Sequence, residues 1–516
     1  MRRKENISDS SPKKEGKLKS FLKSGKAKKG AVAVAITAVF IAIIILLNFI
    51  SHILVERFPN LQFDMTASQT YQLQKDTVDY LNQLDKDVTL YVLATENNFK
   101  SGMNAYQGAQ YFVQADKLLH KMDAASSHLS LKFIDLTTNP TFTGKYKNID
   151  WNSKEASNLI IVDAGEKYTA VSLKDCFTYD EETYSYYGYY VYTATTIEQA
   201  VVTGLLDVTI SDKVGIDFIT GSGETEDAYS AMKDLLKQNA YDVKEVNLTT
   251  KNLNKDSKIA VLYAPTVDLS EKAVDKLDKW LDNDGENGKT LIYIPIDVQT
   301  ETPNLDALLK EYGMEVSDGL CFCTNNNYYL QNIYMFLTEY NNTDFTEGLK
   351  NASIPTIVYN TRNIILKDGS KAKSLLNLTS SVGMLPFDTD TSKLNEKKIE
   401  KYMIADGVNP AAIGSKTNAD EAKTSKIAIF GSPYMFSNAF ISTSSYNNAN
   451  YLINFCNTVS QREDMGVTIN SASIDGGELG VTNSSTSVTV GLIFIVLVPL
   501  GVLLLGFILY IRRRNK

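Results

Sequence analysis

Histidine is nearly absent from this 516-residue chain: His52, His120 and His128 are all it has. None follows residue 128, so the rest of the chain has no imidazole to serve as a base or a metal ligand. A Ser-His-Asp or Cys-His nucleophile built there is excluded on composition. No G-x-x-x-x-G-K-[ST] sequence occurs, so the chain is not its own ATPase. Cysteine is scarce as well, with only Cys176, Cys321, Cys323 and Cys456. Cys321-x-Cys323 is too close for an ordinary bridge and lacks the second pair a zinc site needs, so free or partly buried thiols are expected.

Positive charge is missing from the middle of the chain. Residues 1–30 carry eleven Lys and Arg against three acids, and Arg512–Lys516 add four more basic groups. Residues 31–511 keep 37 basic and 57 acidic groups, a net of −20 hidden inside a formal total of −8. An acidic body argues against a nucleic-acid partner, because phosphate neutralisation needs positive charge on the folded part. With 44% hydrophobic and 10% aromatic residues, the chain as a whole has enough apolar material for a core.

Two uncharged apolar runs account for the basic ends. Gly30–Ile50 has 21 residues, about 31 Å as a helix, against a hydrocarbon core of roughly 30 Å. Val488–Ile511 has 24, and Pro499 within it is tolerable in a membrane helix. Both read as transmembrane helices in contact with the lipid bilayer. No A-x-A-like site follows the first run, which favours an uncleaved anchor over a signal peptide. Lys28 and Lys29 before the first run, and Arg512–Arg514 after the second, place both termini in the cytoplasm and about 53–486 outside a plasma membrane. The expected layout is a basic tail (1–29), a helix (30–52), an α/β ectodomain (56–210), a second α/β ectodomain (211–465) with an irregular insertion (315–425), a linker (466–487), a helix (488–511) and a basic tail (512–516).

Within the ectodomain, helical spacing marks 74–84, 106–125, 195–206, 227–238, 270–283, 304–312 and 447–460. Strands are predicted over 88–93, 129–136, 214–221, 241–248, 258–264, 290–295 and 426–430, with a hairpin of 158–162 and 167–172 around Ala164-Gly165. Alternating apolar strands and helices predict a mostly parallel sheet covered on both faces.

Two segments draw attention as contact sites. Gly221, Ser222, Gly223 and Glu224 form a turn between a strand and a helix, the usual place for an anion. Glu224, Glu226 and Asp227 would complement the helix dipole there and repel phosphate, which favours a structural turn. Tyr184–Tyr192 (YSYYGYYVY) holds six tyrosines. As a strand it would put Tyr184, Tyr186, Tyr190 and Tyr192 on one face and Tyr187 and Tyr189 on the other, around a bulge at Gly188. Such a face would stack on sugars of an envelope glycan or form a partner interface, unless it simply packs on both sides. No catalytic, cofactor or metal-ligating residue is singled out.

Several stretches in order resemble one family. FDMTASQTYQLQKDTVDYLNQLDKDVTLYV (63–92), TATTIEQAVVTGLLDVT (193–209) and ITGSGETEDAYSAMKDLLKQNAYDVKEVNL (219–248) are similar to segments of GldG-like proteins, auxiliary membrane subunits of ABC transporters. VLYAPTVDLSEKAVDKLDKWLDNDGENGKTLIYIP (261–295), SLLNLTSS (374–381) and IFGSPYMFSN to NANYLINFCN (429–457) resemble later blocks. The resemblance implies a domain like the class I glutamine amidotransferase (flavodoxin-like) fold without enzyme chemistry, no cofactor, and partners in an ABC permease and a separate ATPase subunit. Ser222 stands where that family has His, Asn239-Ala240 replaces the Gly before Tyr241, and Gly285-Glu286-Asn287-Gly288 expands a Gly-Gly turn. A stand-alone envelope-binding protein is the alternative.

Overall fold

Fully buried leucines and isoleucines fall into three main clusters: one under a four-stranded sheet, and two on the opposite faces of a nine-stranded sheet. The computed structural model describes residues 25–57, 71–102, 109–152, 158–188, 190–349, 351–390, 399–418, 423–443, 445–462, 472–473, 506 and 511–512. The chain divides into two compact units, 1–63 and 64–516.

In the first unit the described part is one helix, α1 (Gly25–Arg57), 33 residues or about 50 Å long. Its apolar residues are spread around every face, and Phe40, Ile45 and Phe49 are 61%, 64% and 63% exposed. Its described side chains form an unbroken uncharged run over 36–50. No helix among the described residues is long and apolar enough to cross a membrane. The second apolar run lies outside the described residues apart from Gly506 and Ile511.

The second unit begins with α2 (Lys75–Gln83), β1 (Val88–Val92), α3 (Glu96–Lys100), α4 (Ala109–Ala125) and β2 (Leu129–Phe133). It continues through β3 (Leu159–Asp163), β4 (Tyr168–Ser172), β5 (Phe177–Tyr179), α5 (Glu181–Tyr187), β6 (Tyr192–Thr195) and α6 (Ile197–Thr209). Four strands pair in the order β2-β1-β3-β4, parallel only between β1 and β2. Alternate residues Val88, Leu90 and Val92 point inward and meet Leu118, Leu119 and Met122 of α4 and Val201 and Leu205 of α6. A Cβ on Gly204 would lie 2.8 Å from the Val162 side chain, so only glycine lets α6 approach β3 this closely. Glu198 of α6 is 4% exposed and accepts the Gln74 backbone N–H at 2.8 Å; burial pushes its carboxyl up to about 7.

The tyrosine segment departs from the strand expectation. Glu181–Tyr187 is helical because Asp180 caps it, accepting the Thr183 N–H at 3.0 Å, and Gly188 ends it in the left-handed region at φ 71°. Gly188 is a helix terminator, not a bulge, and Tyr189 lies outside the described residues.

The larger part follows with β7 (Gly215–Thr220), α7 (Glu226–Gln238), β8 (Asp242–Asn247), β9 (Ile259–Tyr263), α8 (Glu271–Asp282), β10 (Thr290–Ile294) and α9 (Pro303–Glu311). Ser270 caps α8, accepting the Ala273 N–H at 3.3 Å. Next come β11 (Met314–Val316), β12 (Gly319–Cys323), β13 (Met335–Tyr340), β14 (Thr356–Tyr359), β15 (Ile364–Leu366), β16 (Lys373–Leu378), β17 (Val382–Pro386), β18 (Val408–Thr417) and β19 (Thr424–Phe430). Helices α10 (Asn438–Ile441) and α11 (Asn448–Ser460) and the short β20 (Ala472–Ser473) complete the series.

Among the described residues a nine-stranded sheet runs β14-β13-β16-β18-β19-β10-β9-β7-β8. Its half from β8 to β19 is parallel, and β18, β16, β13 and β14 are antiparallel. Every residue of β9 and β10 is buried, as strands covered on both faces must be. The architecture is mixed α/β with a partly parallel sheet.

The segment 315–425 is therefore not an irregular insertion, since it supplies the antiparallel half of this sheet. Its asparagines mark the turns between strands: Asn325, Asn332, Asn342 and Asn351 each accept the backbone N–H two residues on, at 2.9–3.1 Å. The linker expected at 466–487 is also corrected in part. Ala472 and Ser473 pair antiparallel with Thr195 and Ala194 of β6. All four cysteines are free and buried, and desolvation pushes up the thiols of Cys176, Cys321 and Cys456.

Candidate functional site

Strand order places a switch point at the carboxyl end of β7, because β8 lies on one side of it and β9 on the other. Open α/β sheets bind ligands at such points. The Gly221–Glu224 turn leaves β7 there, as its sequence predicts, and packs on the loop after β9. Ser222 is 5% exposed, and its carbonyl accepts the N–H groups of Thr266 and Val267, both at 3.0 Å. Thr266 Oγ1 donates to the Gly223 carbonyl at 3.3 Å. A Cβ on Gly223 would fall 1.9 Å from that Thr266 oxygen, and φ there is 82°, so the position demands glycine twice over.

Glu224 closes the turn on itself. Its Oε2 accepts the Ser222 N–H at 2.7 Å, taking a donor that an incoming anion would use, while its Oε1 is buried without a hydrogen bond. Glu226 and Asp227 add two carboxylates in the first turn of α7, Glu226 pairing with Lys233. Negative charge already occupies the positive end of this helix. Across the switch point, Ala264 leaves β9 with φ 46°, a left-handed conformation uncommon for a residue with a Cβ. A strained residue at the carboxyl end of a buried strand is where a nucleophile elbow presents its Ser or Cys. Here it carries only a methyl group. Sequence patterns do not single out Ala264; the Ala-Pro pair directly after an all-apolar strand is the one available signal.

The tyrosines form a stacked ladder rather than a strand face. Phe112, Phe177 and Tyr192 pack at its inner end, with Phe177 and Tyr192 centroids 5.2 Å apart. Tyr190 lies nearly parallel to Tyr192 at 6.3 Å and to Tyr184 at 4.6 Å, and meets Tyr179 edge-on at 4.9 Å. A hydrogen bond between the Tyr190 hydroxyl and Tyr184 holds the Tyr190 phenol above its usual range. Tyr186 and Tyr187, on the last turn of α5, are 84% and 72% exposed. The structure thus unites Tyr184, Tyr190 and Tyr192, and sets Tyr186 apart on a separate, outward-facing surface.

A cleft of about 590 Å³ opens between β4, α6 and the end of α7, lined by Thr169, Asp175, Thr178, Gln199, Thr203 and Gln238 among others. Burial raises the Asp175 carboxyl. Thr203 Oγ1 bridges to the Gln238 carbonyl at 3.2 Å, tying α6 to α7 across its floor. Asp207, Asp234 and Lys237 also line it, so the hydroxyls and amides share the cleft with three carboxylates and one ammonium.

Residues 67–173 match the family model of a domain of unknown function, DUF7088. No curated protein matches the chain. Solved structures it is similar to include the mmIFT52 N-terminal domain, 14% identical over 49% of this chain and 99% of that one, with a TM-score of 0.35. Another comes from Thermoplasma acidophilum and is described as part of a GMP synthase. It is 11% identical over 49% of this chain and 96% of that one, with a TM-score of 0.27.

Proposed function

We propose that this chain is a non-catalytic auxiliary subunit of an ABC transporter, held in the plasma membrane by the runs 30–52 and 488–511 and presenting residues 53–486 outside. The carrying observation is the closed switch point: Glu224 caps its own turn, and Ala264 sits where chemistry would need a heteroatom. The parallel half of the large sheet, in chain order 2-1-3-4-5, suits the amidotransferase-like, flavodoxin-like layout that the GldG-like blocks imply. A scaffold of that layout without its reactive groups is suited to binding, and ATP hydrolysis would belong to a separate subunit. Purifying the tagged full-length protein in mild detergent should bring down a multi-helix permease and an ATPase with a Walker A motif. Recovery of the chain alone under conditions that preserve such complexes would sink this reading.

The exposed tyrosines support a second reading, a stand-alone envelope-binding protein whose aromatic surface stacks on glycan. It expects retention on purified cell-wall polymer that falls in Tyr186→Ala and Tyr190→Ala, with no permease recovered. Equal retention of both variants would count against it.

A further inference from the structure

Asp116 and His120 lie one turn apart on α4, and both face Glu96 in the first turn of α3. One ligating atom from each lies within 4.8 Å of the others. His120 Nε2 stands 3.5 Å from Glu96 Oε1 and 3.7 Å from Asp116 Oδ1. These separations are at or beyond the limit of a hydrogen bond. They are close to the spacing of about 3.4 Å between two ligand atoms of a tetrahedral ion with bonds of about 2.1 Å.

The Asp116 side chain is 3% exposed, and its Oδ1, directed toward His120, is buried with no hydrogen-bond partner. Its Oδ2 lies 3.3 Å from Lys100 Nζ, which also bonds Glu96. Among the described residues, one ammonium is therefore the only fixed cation paired with these two carboxylates, and one carboxylate oxygen is left over. The Lys100 side chain is 39% exposed and Glu96 42%, so the ammonium has an open path to water.

We propose that Glu96, Asp116 and His120 form a binding site for a divalent transition-metal ion of the zinc class, taken up in exchange for the Lys100 ammonium. One imidazole nitrogen with two carboxylate oxygens suits Zn²⁺, Co²⁺ or Mn²⁺ better than the all-oxygen shells of Ca²⁺ and Mg²⁺ or the thiolates preferred by Cu(I). A dication balances both carboxylates, uses the stranded Asp116 oxygen and pins α3 to α4. The half-exposed Glu96 and His120 leave the fourth position to water. This inference does not depend on the transporter reading.

Co²⁺ is the probe, titrated into the full-length protein in detergent, purified without a polyhistidine tag. The expected result is one saturable site with visible d–d absorption, displaced by Zn²⁺ and accompanied by a rise in Tm. His120→Ala and Glu96→Gln should each weaken it at least about tenfold. Lys100→Met, which removes the competing ammonium, should tighten it. Absence of a saturable signal in both the wild type and Lys100→Met, or an undiminished signal in His120→Ala, overturns the proposal and leaves Lys100 as the cluster's permanent cation.

Discussion

The two α/β parts of the second unit invert what their sheets suggest. The larger one, 215–462, has the parallel half-sheet and the switch point that in other folds hold ligands, yet the turn at this point is closed on itself. Glu224 fills its own turn, Thr266 clamps it, and Ala264 contributes a methyl group. The smaller one, 71–209, has an ordinary four-stranded sheet but carries the exposed tyrosine ladder, much of the polar cleft wall, and both His120 and His128. A topological site is only a place; groups with unmet charge or exposed aromatic area decide whether anything binds there.

The strongest way to break this contrast is to pry the switch point open. Gly223→Ala drives a Cβ into Thr266 at a left-handed backbone position, and should destabilise the larger part by about 2–4 kcal/mol in chemical denaturation. Adding Thr266→Ala should recover only part of that loss, because the conformational strain remains. If Gly223→Ala is neutral, the turn is loose and the site is not closed.

Next in size is the carboxyl of Glu198. Burial favours its protonated form, so between its usual 4.5 and about 7 the folded chain holds a proton that the unfolded chain has released. Stability therefore falls as pH rises through that window, and the cost is complete above it. Glu198→Gln should gain about 2–3 kcal/mol near pH 8 and almost nothing near pH 4. An equal gain at both pH values would show that ionisation is not the cause. The smallest effects sharpen the aromatic half of the comparison. Tyr184→Ala or Tyr190→Ala should cost about 1 kcal/mol by unstacking the ladder. Tyr186→Ala should stay within about 0.5 kcal/mol, as expected for a side chain that is 84% exposed. A larger loss from Tyr186→Ala would mean that it packs within the fold.

Much of the framework is readable in the sequence where local and tertiary signals agree. Strands β7, β9 and β10 are short apolar runs, and α8 announces itself with Ser270. The helix 181–187 reads as a strand because tyrosine favours strands. Its caps, Asp180 and Gly188, are visible in the sequence and outweigh that preference. In 315–425 the asparagines resemble disorder of pattern but mark turns in an antiparallel sheet whose partners are distant in sequence. Asp116 and His120 show a readable i, i+4 spacing on one helix face. Glu96 joins them only through the packing of α3 on α4, which no local pattern encodes.

The pairing of Ala472–Ser473 with β6 has a mechanical meaning. The chain leaves the smaller part after α6, builds the whole large sheet, and returns to the smaller part's edge. The larger part is thus a loop excursion from the smaller one, anchored at both its roots. A pull on the segment after residue 473 is borne first by this two-residue clasp and not by the nine-stranded sheet. Unclasping β20 would bare one edge of β6 while the large sheet keeps all its own pairings, as a latch moves without the door.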